Sequence, residues 1–153
     1  MKNSSNIKEH LYQKCVDFIE NRLQTVQYHI KEIQESLMSE TKSSAGDKHE
    51  TGRAMLQLER EKAGHQLSEI EKLKEHLLKM DINKSSETVA VGSVVYTSSA
   101  NYFIAISAGE IEYSDERFYA ISPNTPIAQL MLGKEKDDTI TFRDQQFIIE
   151  KVL

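Results

Sequence analysis

Asp47 and Glu50 stand three residues apart in the run Gly46-Asp47-Lys48-His49-Glu50. On a helix that spacing sets two carboxylates one turn apart on a single face. Such a pair can share a hard divalent cation and orient its water. Mg2+ suits the arrangement, since it takes one or two protein carboxylates and leaves its other positions to water or phosphate. The same spacing is that of a capping box, with Asp47 as N-cap and Glu50 reaching back to free backbone N–H groups. The two readings are compatible, because Glu50 could cap in the free protein and face metal when docked. From Glu40 to Arg53 there are three acids and three cations. Of the cations, Lys42, Lys48 and Arg53 could steer phosphates, or could simply solvate a turn.

The elements that must hold this pair are legible from periodicity. Tyr12, Val16, Ile19, Leu23, Val26, Ile30, Ile33 and Leu37 alternate steps of four and three, the seam of a coiled coil. Leu56, Ala63, Leu67, Ile70, Leu73, Leu77 and Met80 keep the same rhythm. Leu37 with Leu56, Ile30 with Ala63, Val26 with Leu67, Leu23 with Ile70 and Val16 with Leu77 all add to 93. A constant sum predicts an antiparallel hairpin folding back between Gly46 and Asp47, and favours pairing within one chain, as in a monomer, over self-association through the seam. Turn chemistry from Ser39 to Gly46 breaks the first helix. Ala63-Gly64 is a small-residue spot where the helices can approach, and Met38, Met55 and Met80 read as packing residues near the seam.

Past Asp81 the period changes. We place the boundary between residues 1–82, the hairpin, and 83–153, a second module. Short β-rich runs cover 88–97, 102–107, 118–122, 139–142 and 146–152, predicting a small antiparallel sheet. One helix interrupts them: Thr125 is a good N-cap, Pro126 suits the first helical position and Gly133 stops the chain. The expected fold class is therefore α+β.

Composition removes several functions. The chain has 153 residues, no Trp and a net charge of −5. Residues 1–80 balance 13 cations against 13 acids, while residues 81–153 hold 6 against 11. An acidic second half argues against a sequence-specific duplex-DNA reader and favours a basic protein surface as partner. No run is long and apolar enough to span a bilayer, and the start MKNSSNIKEH has no signal-peptide core. The lone Cys15 fits a reducing cytoplasm and reads as a seam-flanking residue. All five histidines lie in the hairpin without the convergence a zinc site needs. Asp137-Asp138 reads as a turn leading a strand, and Tyr96, Tyr102, Phe103, Phe118 and Tyr119 as sheet core and rim.

Two motifs carry a resemblance. From Gly46, the text Gly-Asp-x-x-Glu-Thr resembles the Gly-Asp-x-x-Glu-Asn tip of the bacterial Gre-type transcript cleavage factors (GreA/GreB-like). Ile121-Ser122-Pro123-Asn124-Thr125-Pro126-Ile127-Ala128, followed by Leu132-Gly133-Lys134-Glu135-Lys136-Asp137-Asp138, looks like their C-terminal signature. The likeness in order and architecture covers nearly the whole chain. It departs after the tip, where Thr51-Gly52-Arg53-Ala54 replaces an Asn and an Ala-acid-aromatic stretch.

The resemblance implies a hairpin that enters the secondary channel of bacterial RNA polymerase. Asp47 and Glu50 would then help hold a Mg2+ shared with the polymerase, and position water to cleave backtracked RNA near its 3′ end. Lys42, Lys48 and Arg53 become possible RNA contacts. It also implies an FKBP-like second module, with Ser122, Thr125, Pro126 and Ile127 as the polymerase-docking positions. No free-standing active site is expected. Two alternatives stand beside it: a regulator of the same channel that does not cleave, and an FKBP-like folding helper or scaffold.

Overall fold

The computed structural model describes the backbone of residues 2–42 and 46–153, and side chains over 6–39 and 50–153. Helix α1 runs Lys2–Lys42 and α2 runs Gly46–Lys79. Strands β1 (Val94–Thr97), β2 (Asn101–Ile104), β3 (Gly109–Tyr113) and β4 (Glu116–Ile121) follow, then α3 (Pro126–Met131), β5 (Thr139–Phe142) and β6 (Gln145–Val152).

The expected seam is the one that forms. Every member of both apolar series is buried or half-buried. Ile30, Ile33 and Ala63 form one cluster, with Val26, Leu37, Leu56 and Leu67 packed against it. Lys74 and Glu20 close an ion pair at 2.7 Å across the helices. Two expectations change. The pivot expected between Gly46 and Asp47 falls inside the first turn of α2; the connection is 43–45, outside the described residues. The constant sum records which side chains face each other, and staggered helices need not turn at its midpoint. Met38 and Met55 are 60% and 62% exposed rather than packed, and Met80 alone of the three is half-buried. Each exposed methionine is one residue from a seam position, and one residue rotates a side chain by roughly 100° on a helix.

The chain divides into two compact units, one of Met1–Phe18 with His76–Leu153 and one of Ile19–Glu75. This division cuts across a boundary at 82/83, because the first turns of α1 join the sheet. Ile7, Leu11 and Cys15, spaced by four, are buried on a second stripe of α1. Cys15 meets the backbone of Ile106, and burial pushes its thiol up to about 12. His10 Nε2 donates to the Glu112 carbonyl at 3.1 Å, and its ring lies 4.8 Å from that of Tyr113. Tyr12 donates its hydroxyl to the Leu77 carbonyl at 3.0 Å, tying α1 to the end of α2.

The six strands form one sheet in the order β3-β4-β2-β1-β6-β5. It is mixed, not wholly antiparallel, since β2 and β4 pair in parallel. β3 forms a hairpin with β4. Its residues and their approaches supply the crossover that a parallel pair needs. Register assigns the faces. Val94, Phe103, Ala120, Phe118, Ile111 and Tyr113 share the face that meets α1. Val95, Ile104, Met131, Ile140, Phe147 and Ile149 build the core on the opposite side, under α3.

Candidate functional site

The motif at residues 46–50 and the motif at 121–128 each open a helix, and the structure builds the two starts differently. Gly46 begins α2, so Asp47 stands inside its first turn rather than at its boundary. A carboxylate anywhere in that turn is favoured by the positive end of the helix dipole. Glu50, three residues on, is exposed. The side chains of Asp47, Lys42 and Lys48 lie outside the described residues.

Arg53 is better defined. It is half-buried, and its Nη1 donates to the Leu37 carbonyl of α1 at 3.5 Å. Its guanidinium therefore braces the hairpin. Among the described residues no group of three or more His, Cys, Asp or Glu could hold a metal ion. His29 and His65 are both exposed on the helices. The fit to Mg2+ follows from the donor set. Two carboxylates are what a shared Mg2+ site takes from one protein, the other positions falling to water, phosphate or a second protein's acids.

The start of α3 is fully engaged. Thr125 is the N-cap, its hydroxyl oxygen accepting from Ala128 N at 3.4 Å and its hydroxyl donating to the Ser122 carbonyl at 2.8 Å. Ser122 Oγ accepts from Asn124 N at 3.2 Å. Pro126 occupies the first turn, where its missing N–H costs nothing, and is exposed. Ile127 is half-buried against the core beneath α3. Of the four docking candidates, then, Pro126 presents its surface outward, while Ser122, Thr125 and Ile127 shape the loop that presents it.

Two braces of this loop were not read from the sequence. Ser107 Oγ accepts from Ser122 N at 3.1 Å, and Gln129 Nε2 donates to the Pro123 carbonyl at 2.6 Å. Gln129 could have been suspected from its place one turn into the helix. Ser107 carries no local signal, since its partner is fifteen residues away. Beyond α3, Gly133 takes φ +83° and donates to the Val89 carbonyl at 2.8 Å. Asp138 Oδ2 then accepts from Glu135 N at 2.8 Å, so the Asp137-Asp138 step is the strand-leading turn expected.

No protein-family model matches the chain, and no curated protein matches it. Among solved structures it is similar to the crystal structure of GreA factor homolog 1 (Gfh1) of Thermus thermophilus, at 15% identity. That match covers 88% of this chain and 92% of the other, with a TM-score of 0.36. A structure of the transcription factor Gfh1 gives 16% identity, covering 88% and 90%, with a TM-score of 0.34. Likeness this loose assigns nothing by itself, and the functional reading rests on the residues.

Proposed function

We propose that this chain is a Gre-type factor of bacterial RNA polymerase, acting in the cytoplasm as a monomer. Its hairpin would enter the secondary channel and stimulate cleavage of backtracked RNA. The observation that carries the reading is that both Gre-like motifs open helices: 46–50 starts α2 at the turn of the hairpin, and 125–128 starts a capped α3. No helix among the described residues is long and apolar enough to cross a membrane.

In this reading Asp47 and Glu50 bring two carboxylates to a polymerase site that already has its own acids. The shared Mg2+, when bound, supplies Lewis-acid activation of water and charge stabilisation at phosphate. The chain's part is to place the pair and to orient the attacking water through Glu50, whose exposure leaves it accessible. Pro126, with the loop that Ser122, Thr125 and Ile127 hold, is the surface offered to the polymerase rim. Lys42 and Lys48 remain the candidates to meet RNA.

A second reading has an observation in its favour. Arg53 stands where the family continues toward an acid and an aromatic, and it is tied to the Leu37 carbonyl. A hairpin end so braced suits a regulator that occupies the channel without cleaving. An FKBP-like folding helper has no comparable support.

One assay separates these readings. A backtracked elongation complex, built with polymerase from the same source and labelled RNA in Mg2+, is incubated alone, with the protein, or with Asp47→Ala/Glu50→Ala. Cleavage accelerated by the protein and lost in the double variant is the expected result. No acceleration, with both proteins displacing a known channel binder, would move the assignment to the regulator. If neither effect appears, the polymerase reading fails.

A further inference from the structure

A cavity of about 460 Å3 opens where α2 ends and the chain runs on toward β1. His76 and Lys79 from the last turn of α2, Lys84 and Asp81 from the connection, and Ser93 before β1 stand in its wall. Met80, Ala90 and Val91 add an apolar side. A lysine in the last turn of a helix complements the negative end of its dipole, which accounts for Lys79. It does not account for Lys84 or for a further cation behind the wall.

That cation is Lys8. Its residue is 4% exposed, and its Nζ donates to the carbonyl of Lys84 at 3.1 Å. Burial lowers its pKa from the ordinary lysine value, and the charge of Asp81 opposes that fall. An ammonium has three hydrogens to donate, and the Lys84 carbonyl takes one. Asp81 is itself engaged, accepting from Asn83 N at 3.0 Å. Ser93 is buried, and its Oγ accepts from Ala90 N at 2.9 Å, which leaves its hydroxyl hydrogen to donate. Among the described residues that hydrogen has no acceptor. A buried donor of this kind asks for a partner.

Lysines and a spare donor therefore gather at one concavity, where Asp81 is the only acid in the wall. We propose that this cavity binds a phosphate-type anion. Lys79 and Lys84 supply charge at the wall, Lys8 supplies it from behind, and Ser93 donates a hydrogen bond. The volume lies in the range of sites for organic ligands, roughly 300–1,000 Å3, so a phosphate carried on a compact organic body fits with Met80 and Val91 against that body. The site does not depend on the transcription reading.

The test titrates the full chain with orthophosphate, tripolyphosphate and ATP, each free of divalent metal. Binding heat and the amide resonances of residues 90–93 are followed at low and at physiological ionic strength. Saturable binding that moves these resonances is expected. Lys84→Glu, which leaves the Lys84 carbonyl in place for Lys8, should weaken it about tenfold or more. Lys79→Glu should act the same way, and Lys151→Glu on β6 should leave the affinity unchanged. ATP binding more tightly than tripolyphosphate identifies a ligand with an organic body; equal affinities identify a free polyphosphate. Absence of saturable binding by all three probes overturns the proposal. So does equal weakening by Lys84→Glu and Lys151→Glu, which would mean diffuse attraction to cations.

Discussion

The starts of α2 and α3 carry the two motifs of this chain, and they spend their polar atoms in opposite ways. At α3, Thr125 caps Ala128 and holds the Ser122 carbonyl, Ser122 Oγ holds Asn124, and Ser107 and Gln129 brace the loop. At α2 the helix opens on glycine, and Glu50 lies in solvent. A helix start whose side chains satisfy its own backbone is a shaped surface. One that leaves a carboxylate exposed can still bind something else. The first should respond to substitution through stability, the second through activity.

The sharpest way to break this contrast is Asp47→Ala/Glu50→Ala. Factor-dependent RNA cleavage should fall by about 10²- to 10⁴-fold, the range in which positioned acid–base groups act. Glu50 should contribute little to any change in the denaturation midpoint, because substitutions at exposed positions change stability by roughly 0.5 kcal/mol or less. A large loss of stability in this variant would mean that the acids are structural caps and that the contrast is false.

Cys15 gives the opposite extreme, a buried polar group with no solvent role. Its thiol is held up at about 12, against an ordinary value of 9.0, because burial penalises the thiolate. A raised folded pKa contributes stability that is complete below the unfolded value and lost as pH climbs toward the folded one. Stability should therefore decline from about pH 9 upward by one to a few kcal/mol more in the native chain than in Cys15→Ala. Denaturant unfolding of both proteins at several alkaline pH values checks this. Parallel pH profiles would show that the thiol is not buried as described. Native protein should also resist thiol reagents near neutral pH.

Thr125→Ala tests the closed start directly. Loss of an N-cap side chain costs about 1 kcal/mol, and the Ser122 carbonyl loses its hydroxyl donor as well. Polymerase docking should weaken only as far as the loop carrying Pro126 loosens. Pro126→Ala should act the other way, on docking more than on stability. If Thr125→Ala leaves the unfolding midpoint unchanged, the cap is not contributing and the loop is held by its braces.

What the sequence disclosed follows the range of each interaction. The seam was legible because a period of 3.5 repeats over many turns, and the Thr125-Pro126 start because a cap is chosen by local chemistry. The stripe Ile7-Leu11-Cys15 was hidden, since its partner is a sheet ninety residues further on and Lys8 lies inside the buried surface. β3 escaped notice because it turns just one buried side chain inward, Ile111, between two exposed glutamates. The parallel pairing of β2 and β4 has no local signature at all. At the candidate site, residue types and spacing could be read at Asp47 and Glu50. The strut from Arg53 to the Leu37 carbonyl could not, because it depends on the stagger of the two helices.

Gly64 offers the finest discrimination along the hairpin. The Ala63-Gly64 pair was expected to permit close helix approach, and Ala63 does sit buried in the cluster with Ile30. Gly64 is half-exposed, and a Cβ built on it meets Arg60 Nη1 at 3.1 Å as its nearest neighbour. That contact is the far end of a flexible side chain, which can move by the few tenths of an ångström needed. Glycine inside a helix costs roughly 0.8–1 kcal/mol relative to alanine, so Gly64→Ala should stabilise the protein by somewhat less than about 1 kcal/mol. Chemical denaturation of the two proteins would read the difference. Ala63→Gly should move stability the other way and further, because it removes a buried methyl as well as adding backbone freedom. If Gly64→Ala destabilises, the helix surface there cannot yield. Gly64, rather than Ala63, would then be the residue that sets the spacing of the arms.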